Sequence, residues 1–397
     1  SRGLGDVYKR QNMFCMPYNP ATAGNCLGIP YMDHAETDLN PRYERGTLQE
    51  VYEMIGKDIE AGIPLIDDTA YSVPKYHFNY KAACCFASRY YLFMQDWDNA
   101  IKYATMALTS NPSSLLRDYS AIAALPNGTS RHQEYVNSAS TANFLLQAAT
   151  SNSGLLFDWY STAGRYSHGK LQGIYETVQP KKGGPWGSSV TFKAPHAVLA
   201  SSGKYVLPRT WRVFQYTDPV AGTGFNKAIS VLFTSEEALL NRAEAYIMKM
   251  NEDPTALDKA LEDINLYAAN LFSAGFKSMT EASIIKWATE TYPDYSELYV
   301  GKTSVSSPQT LNPKKKLHAA PYNTLEEGGP QESMLQALIF MRRYQFLHEG
   351  MRWFDTRRFG ITVYRYLLDE DAETVVQITD QISDENGTAD PRRALQL

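Results

Sequence analysis

The sequence predicts a mostly α-helical protein, built as a scaffold of helix pairs and interrupted by an irregular, loop-rich insertion crowded with aromatic residues. Three observations carry this. Apolar residues recur at three- and four-residue spacing in 79–112, 235–272 and 335–346, the period of a helix with one buried face. Between 113 and 230 that period fades, and glycines such as Gly154, Gly164, Gly183, Gly184 and Gly187 alternate with aromatic residues. Helices tolerate that much glycine poorly, and a plain linker would not carry that much aromatic area. Finally, the stretch 338–360, LIFMRRYQFLHEGMRWFDTRRFG, sets five arginines among apolar and aromatic residues.

The chain has 397 residues, 44% hydrophobic and 20% charged, with a net charge of −5. That supplies ample core, and the mild acidity gives no drive toward nucleic acid. No run approaches the ~18 apolar residues of a membrane helix. Four cysteines form no C-x-x-C, and no H-E-x-x-H occurs, so neither a metal nor a cofactor is expected. Cys15 and Cys26 are close enough in a loop-like region to pair or to stay free.

Residues 1–11, SRGLGDVYKRQ, are polar and patternless and read as a non-native start. The following 12–46 is a long Pro-, Gly- and Tyr-rich loop, a class of segment that is usually functional. Thr47 and Glu50 form a capping box, opening a helix with Val51, Tyr52, Ile55 and Ile59 on one face. Asp67-Asp68 reads as a solvated turn. Asn79 caps a small-residue helix to about Met94, and Trp97, Ala100, Ile101, Ala104 and Leu108 space out its partner before Pro112. In the insertion, one further helix is expected near Asn143, with short strands elsewhere.

Repeats resume at Ser235, taken as the N-cap. Glu236 and Glu237 then fall at an exposed helix start, where acids are favoured by the helix dipole. Residues 273–332 are loop-rich. Ser283-x-x-Lys286 and the GKTS at 301–304 lack the companions of their motifs, and Lys314-Lys315-Lys316 reads as a solvated loop. In the closing stretch, Gly350 interrupts a helix and Gly360 caps a second short one. Arginines beside Trp353 and Phe354 need carboxylates, and Glu349 and Asp355 are the nearest. Internal bracing is therefore preferred over anion binding. A short helix or strand follows to Leu368, and DEDAET reads as exposed.

These residues carry two resemblances. The unit 79–112, with its aromatic-x-x-Ala-Ile and Ala-Leu-x-x-Asn-Pro order, resembles a tetratricopeptide helix pair. Arg342, Arg343, Glu349, Gly350, Arg352, Trp353, Phe354, Asp355, Arg357, Arg358 and Gly360 fill, in order, a pattern similar to the C-terminal signature of the SusD/RagB family. Asn241-Arg242-Ala243-Glu244-Ala245 also resembles that family. The resemblance implies one SusD-like domain over 12–397, with helical repeats at about 47–112, 235–272 and 333–360 and a variable insertion at about 113–230.

It further implies a non-enzymatic outer-membrane lipoprotein of Bacteroidetes. Such a protein captures glycan, or alternatively peptide, at the cell surface and delivers it to a SusC-like TonB-dependent transporter. Its lipid anchor is not present in this chain. Candidate ligand platforms are Trp186, Tyr175, Tyr160 and Trp159 in the insertion, with Tyr18 and Tyr31 from the first loop; each could equally be core. Trp186 stands out, because Gly183-Gly184-Pro185 and Gly187 suggest a turn tip. Two alternatives remain: a peptide-binding repeat scaffold, and a helical-barrel glycoside hydrolase with Glu176 or Asp158 as its carboxylates.

Overall fold

The computed structural model describes residues 2–32, 37, 42–153, 184–187, 190–194, 198–199, 205–206, 209, 211, 213–273, 275–291, 314–368 and 375–382. The helices and strands are α1 (Arg2–Phe14), α2 (Leu48–Gly62), α3 (Tyr80–Met94), α4 (Trp97–Leu108), α5 (Tyr119–Ala124) and α6 (Gly128–Tyr135), then β1 (Asn143–Thr150), β2 (Val198–Leu199), β3 (Tyr205–Val206), β4 (Val213–Asp218) and β5 (Thr223–Thr234). They continue as α7 (Ser235–Lys249), α8 (Ala256–Leu271), α9 (Glu281–Lys286), α10 (Pro330–Gln345) and α11 (Met351–Phe359), ending in β6 (Val363–Leu368) and β7 (Val375–Ile382). The mostly α class expected from sequence is the one observed.

Two antiparallel helix pairs make the scaffold. In α3, Ala82, Ala83, Cys84, Cys85, Ala87 and Ser88 are all buried, and these short side chains let α4 and α7 pack close. Asn79 caps α3 by accepting the Ala82 N–H, and Thr47 and Glu50 close the expected capping box on α2. The second pair, α7 and α8, lies against α3 and α4, and α10 packs on the far side of α7.

Helix α7 is therefore enclosed on every side, which explains its poor amphipathic pattern. Its N-cap is Thr234 rather than Ser235, because the Thr234 hydroxyl accepts the Glu237 N–H. Glu236, Glu237 and Glu244 are 0%, 1% and 0% exposed, against the expectation of a solvated helix start. Each has a guanidinium partner. Arg89 of α3 grips Glu237 through Nε at 2.5 Å and Nη2 at 2.6 Å. The Arg117 backbone N–H donates to Glu236 at 2.8 Å, with the guanidinium 4.0 Å away. Arg358 of α11 donates Nη2 to Glu244 at 2.9 Å and pairs through Nη1 as well. Between the two helices of the pair, Arg242 holds Asp263 bidentately at 2.7 and 2.8 Å.

Two other expectations change. The segment at Asn143 is a strand, not a helix. Its Leu and Ala residues favour helix locally, but antiparallel pairing with β5 overrides that preference. Lys314 and Lys315 are 1% and 2% exposed, not solvated, because Gln336 of α10 brackets the Lys315 peptide with one hydrogen bond to its N–H (2.9 Å) and one from its side chain to the carbonyl (2.7 Å). Residues 2–11 fall within α1, where Tyr8 and Gln11 are buried and Gln11 accepts the Ile29 N–H at 2.9 Å. Cys15 and Cys26 are free thiols. The segment after Gly360 resolves as β6, while 369–374 lies outside the described residues.

Removing one partner of a buried ion pair leaves an uncompensated charge, at a cost of roughly 3–5 kcal/mol. Glu244→Ala should lose about that much stability in urea denaturation, since Arg358 and the Tyr322 hydroxyl both face it. An exposed carboxylate such as Glu262 should tolerate the same change within about 0.5 kcal/mol.

Candidate functional site

The arginine-rich closing stretch is bracing, as expected, but its pairing is wider than the local sequence suggests. Gly350 and Gly360 sit at φ of +81° and +66°, bounding α11 in the left-handed conformation that glycine adopts without strain. Asp355 accepts from Arg342 Nε and Nη2 at 3.0 Å and from Arg358 at 3.2 Å. Arg342 reaches further to Asn241 of α7 at 2.9 Å. Arg357 donates to the carbonyls of Asn12, Met13 and Cys15, acceptors at the end of α1 that the helix itself leaves unsatisfied. Glu349 serves Arg209, at 3.5 Å, and the Tyr135 hydroxyl, at 2.5 Å. Arg343 and Arg352 are half-buried.

Burial by itself would raise the Asp355 carboxyl, but Arg342 and Arg358 outweigh it and hold Asp355 below the ordinary carboxylate range. Glu349 goes the other way, raised by burial that Arg209 and Tyr135 offset only in part. Next to it, burial and Arg209 press His348 down to about 4, so its imidazole is neutral at pH 7.

A cleft of about 960 Å³ opens between β1 and β5, α3, and the α10–α11 junction, lined by Phe78, Phe86, Phe93, Phe233, Phe346 and Tyr76 among others. Its charged side chains include Arg89, Glu237 and Glu349. Both carboxylates are already engaged, Glu237 by Arg89 and Glu349 by Arg209 and Tyr135. Glycoside hydrolysis needs one carboxyl free to protonate the leaving oxygen and a second at the sugar. Most of the cleft wall is apolar and aromatic. Glu176 and Asp158, the carboxylates a hydrolase would draw from the insertion, lie outside the described residues. Among the described residues no group of three metal-ligating side chains occurs, and no helix is long and apolar enough to cross a membrane.

Of the candidate platforms, the three described ones, Trp186, Tyr18 and Tyr31, have separate surroundings. Trp186 is 1% exposed, a correction to its placement on a turn tip. Its indole stacks on Phe340 at 5.2 Å and tilts against Phe272 at 4.9 Å. A Cβ on Gly184 would fall 2.0 Å from the indole, so that glycine lets the ring fold back into the core. Tyr18 is also core, 4.6 Å from Tyr52, and Tyr31 is half-buried with its hydroxyl on Asp58. Trp159, Tyr160 and Tyr175 lie outside the described residues. Sequence reasoning passed over Phe214, Tyr216 and Phe225, which are 38%, 58% and 54% exposed on the β4–β5 hairpin. The available signal was their alternation with Gln215, Thr217 and Asn226 around a D-P-V-A-G-T turn.

Residues 7–92 match the family model described as SusD-like, starch-binding and associating with the outer membrane. The whole fold is similar to that of solved structures from Bacteroides. One is a Bacteroides vulgatus protein described as sugar-binding (19% identity, 94% of this chain and 66% of that one, TM-score 0.54). Two are SusD superfamily proteins, from Bacteroides fragilis (17% identity, 95% and 69%, TM-score 0.53) and Bacteroides thetaiotaomicron (16%, 99% and 72%, TM-score 0.53). The chain thus spans about two thirds of the length of the structures it matches. No curated protein matches it in sequence. The chain thus has the fold of SusD superfamily structures, and its residues 7–92 match a SusD-like family model.

Trp186→Ala should cost roughly 3–5 kcal/mol in chemical denaturation, as a large buried aromatic does. For Asp355, a folded-state pKa below the unfolded value near ~3.9 means its stabilisation is complete above that value and is lost as pH falls through the folded one. Asp355→Asn should therefore be less stable at pH 7, with a shallower loss on acidification below about pH 4 than the parent in urea titrations across pH.

Proposed function

We propose that this chain captures glycan at the outer-membrane surface without cleaving it, and passes it to a SusC-like TonB-dependent transporter while held by a lipid anchor. The observation that carries the reading is the match of residues 7–92 to a starch-binding, outer-membrane-associating family, on a fold shared with a protein described as sugar-binding. A scaffold of stacked helix pairs has no chemistry of its own, so binding belongs to what its loops and strands present. The insertion is the part we assign to ligand, with Trp159, Tyr160 and Tyr175 as its aromatic platforms. We take 12–397 as one domain. The engaged state of Glu237 and Glu349 supports capture over hydrolysis.

Aromatic stacking on sugar C–H faces yields about 1 kcal/mol per ring beyond buried area, offset by desolvation of hydroxyls. Modest affinity follows, which suits a protein that must also release. Native gels containing amylopectin, xylan, galactomannan or laminarin should retard the purified chain with at least one polymer, with no new reducing ends formed. Migration unaffected by all four, or release of reducing ends, overturns the proposal.

A further inference from the structure

Past the last β1 pair, Thr150 with Lys227, the described sheet narrows to two strands, and the β4–β5 hairpin runs on with Phe214 opposite Asn226 and Tyr216 opposite Gly224. Phe214 and Tyr216 share one face of β4 and meet edge to face, ring centroids 4.9 Å apart at 74°. An edge-to-face contact fixes ring orientation. Gly224 leaves no side chain across from Tyr216, and a Cβ there would fall 2.1 Å from the Gln215 carbonyl oxygen. The turn is held by the Asp218 carboxylate, which accepts the N–H groups of Val220 and Ala221 at 2.9 and 3.0 Å, while Gly222 takes φ of +66°. Phe225 is carried on the opposite face.

We propose that this hairpin is a stacking subsite for a glycan chain, with Tyr216 as its platform and Phe214 as the ring that orients it. The inference rests on the glycan-capture reading above and adds a place and residues to it. On the face the two rings share, Asn226 lies across from Phe214, and the turn beyond Tyr216 carries Asp218 and Thr223. A sugar ring needs that mixture, an apolar face for its C–H groups and polar atoms within reach of its hydroxyls. A protein partner would favour a broader patch whose centre can be sealed from water. The turn also limits the ordering cost on binding, because the rings are already placed.

The test compares the intact chain with Tyr216→Ala, Tyr216→Gln and Tyr216→Trp in gels containing amylopectin, xylan, galactomannan or laminarin. Thermal melting serves as the folding control, and Tyr216 is exposed enough that the midpoint should not move. Both ring-less variants should bind the retained polymer about tenfold more weakly, a change of roughly 1.4 kcal/mol, and the Trp variant should bind like the parent. Equal retardation of parent and ring-less variants overturns the subsite and leaves glycan capture standing. A parent retarded by none of the polymers removes the capture reading, and the subsite with it.

Discussion

Helix α7 takes three carboxylates into the interior, and each is met by a guanidinium from a different part of the chain. Arg89 arrives from α3, Arg117 from the segment before α5, and Arg358 from α11. Burying such charges unpaired would cost several kcal/mol apiece, so the helix can occupy its position only when all three partners have arrived. Register follows from this. A shift of α7 by one residue would turn Glu237 and Glu244 away from their arginines. Apolar side chains at those positions could stabilise as well, but they would specify the arrangement less sharply.

The closing segment extends the same logic to the ends of the fold. Asp355 joins Arg342 and Arg358, Arg342 joins Asn241, and Arg357 closes the carbonyls at the end of α1. Residues far apart in sequence thus meet through one lattice, and the cleft beside it shares its walls. Arg89, Glu237 and Glu349 face that cleft while serving as structural links. Their engagement leaves a space defined by rings rather than by reactive groups. The β4–β5 hairpin, by contrast, carries its exposed rings clear of this lattice.

Much of this architecture was legible before any coordinates. The caps at Thr47 and Asn79, the helix pair at 79–112, the break at Gly350 and the stop at Gly360 are local, written in spacing and residue type, and each was found where expected. The arginine-rich stretch announced its need for carboxylates, because guanidinium groups beside Trp353 and Phe354 have few other solutions. Asp355 was identifiable as a partner for the same reason.

What the chain could not show was which side of an element faces inward once neighbours surround it. Glu236 and Glu237 have the pattern of a solvated helix start, and only the approach of Arg89 on α3 and of the Arg117 segment encloses them. Trp186 between glycines has the pattern of an exposed turn, yet those glycines let the indole turn back onto Phe340. Lys315 lies in a basic run but is enclosed because Gln336 holds its backbone. Sequence by itself determined the paired helices, several of their caps and the demand for buried pairing, since these depend on near neighbours. Burial, partner choice and the exposed rings of the hairpin were decided by tertiary structure alone, since they depend on groups brought together only by the fold, from Gln336 beside Lys315 to Arg89 beside Glu237.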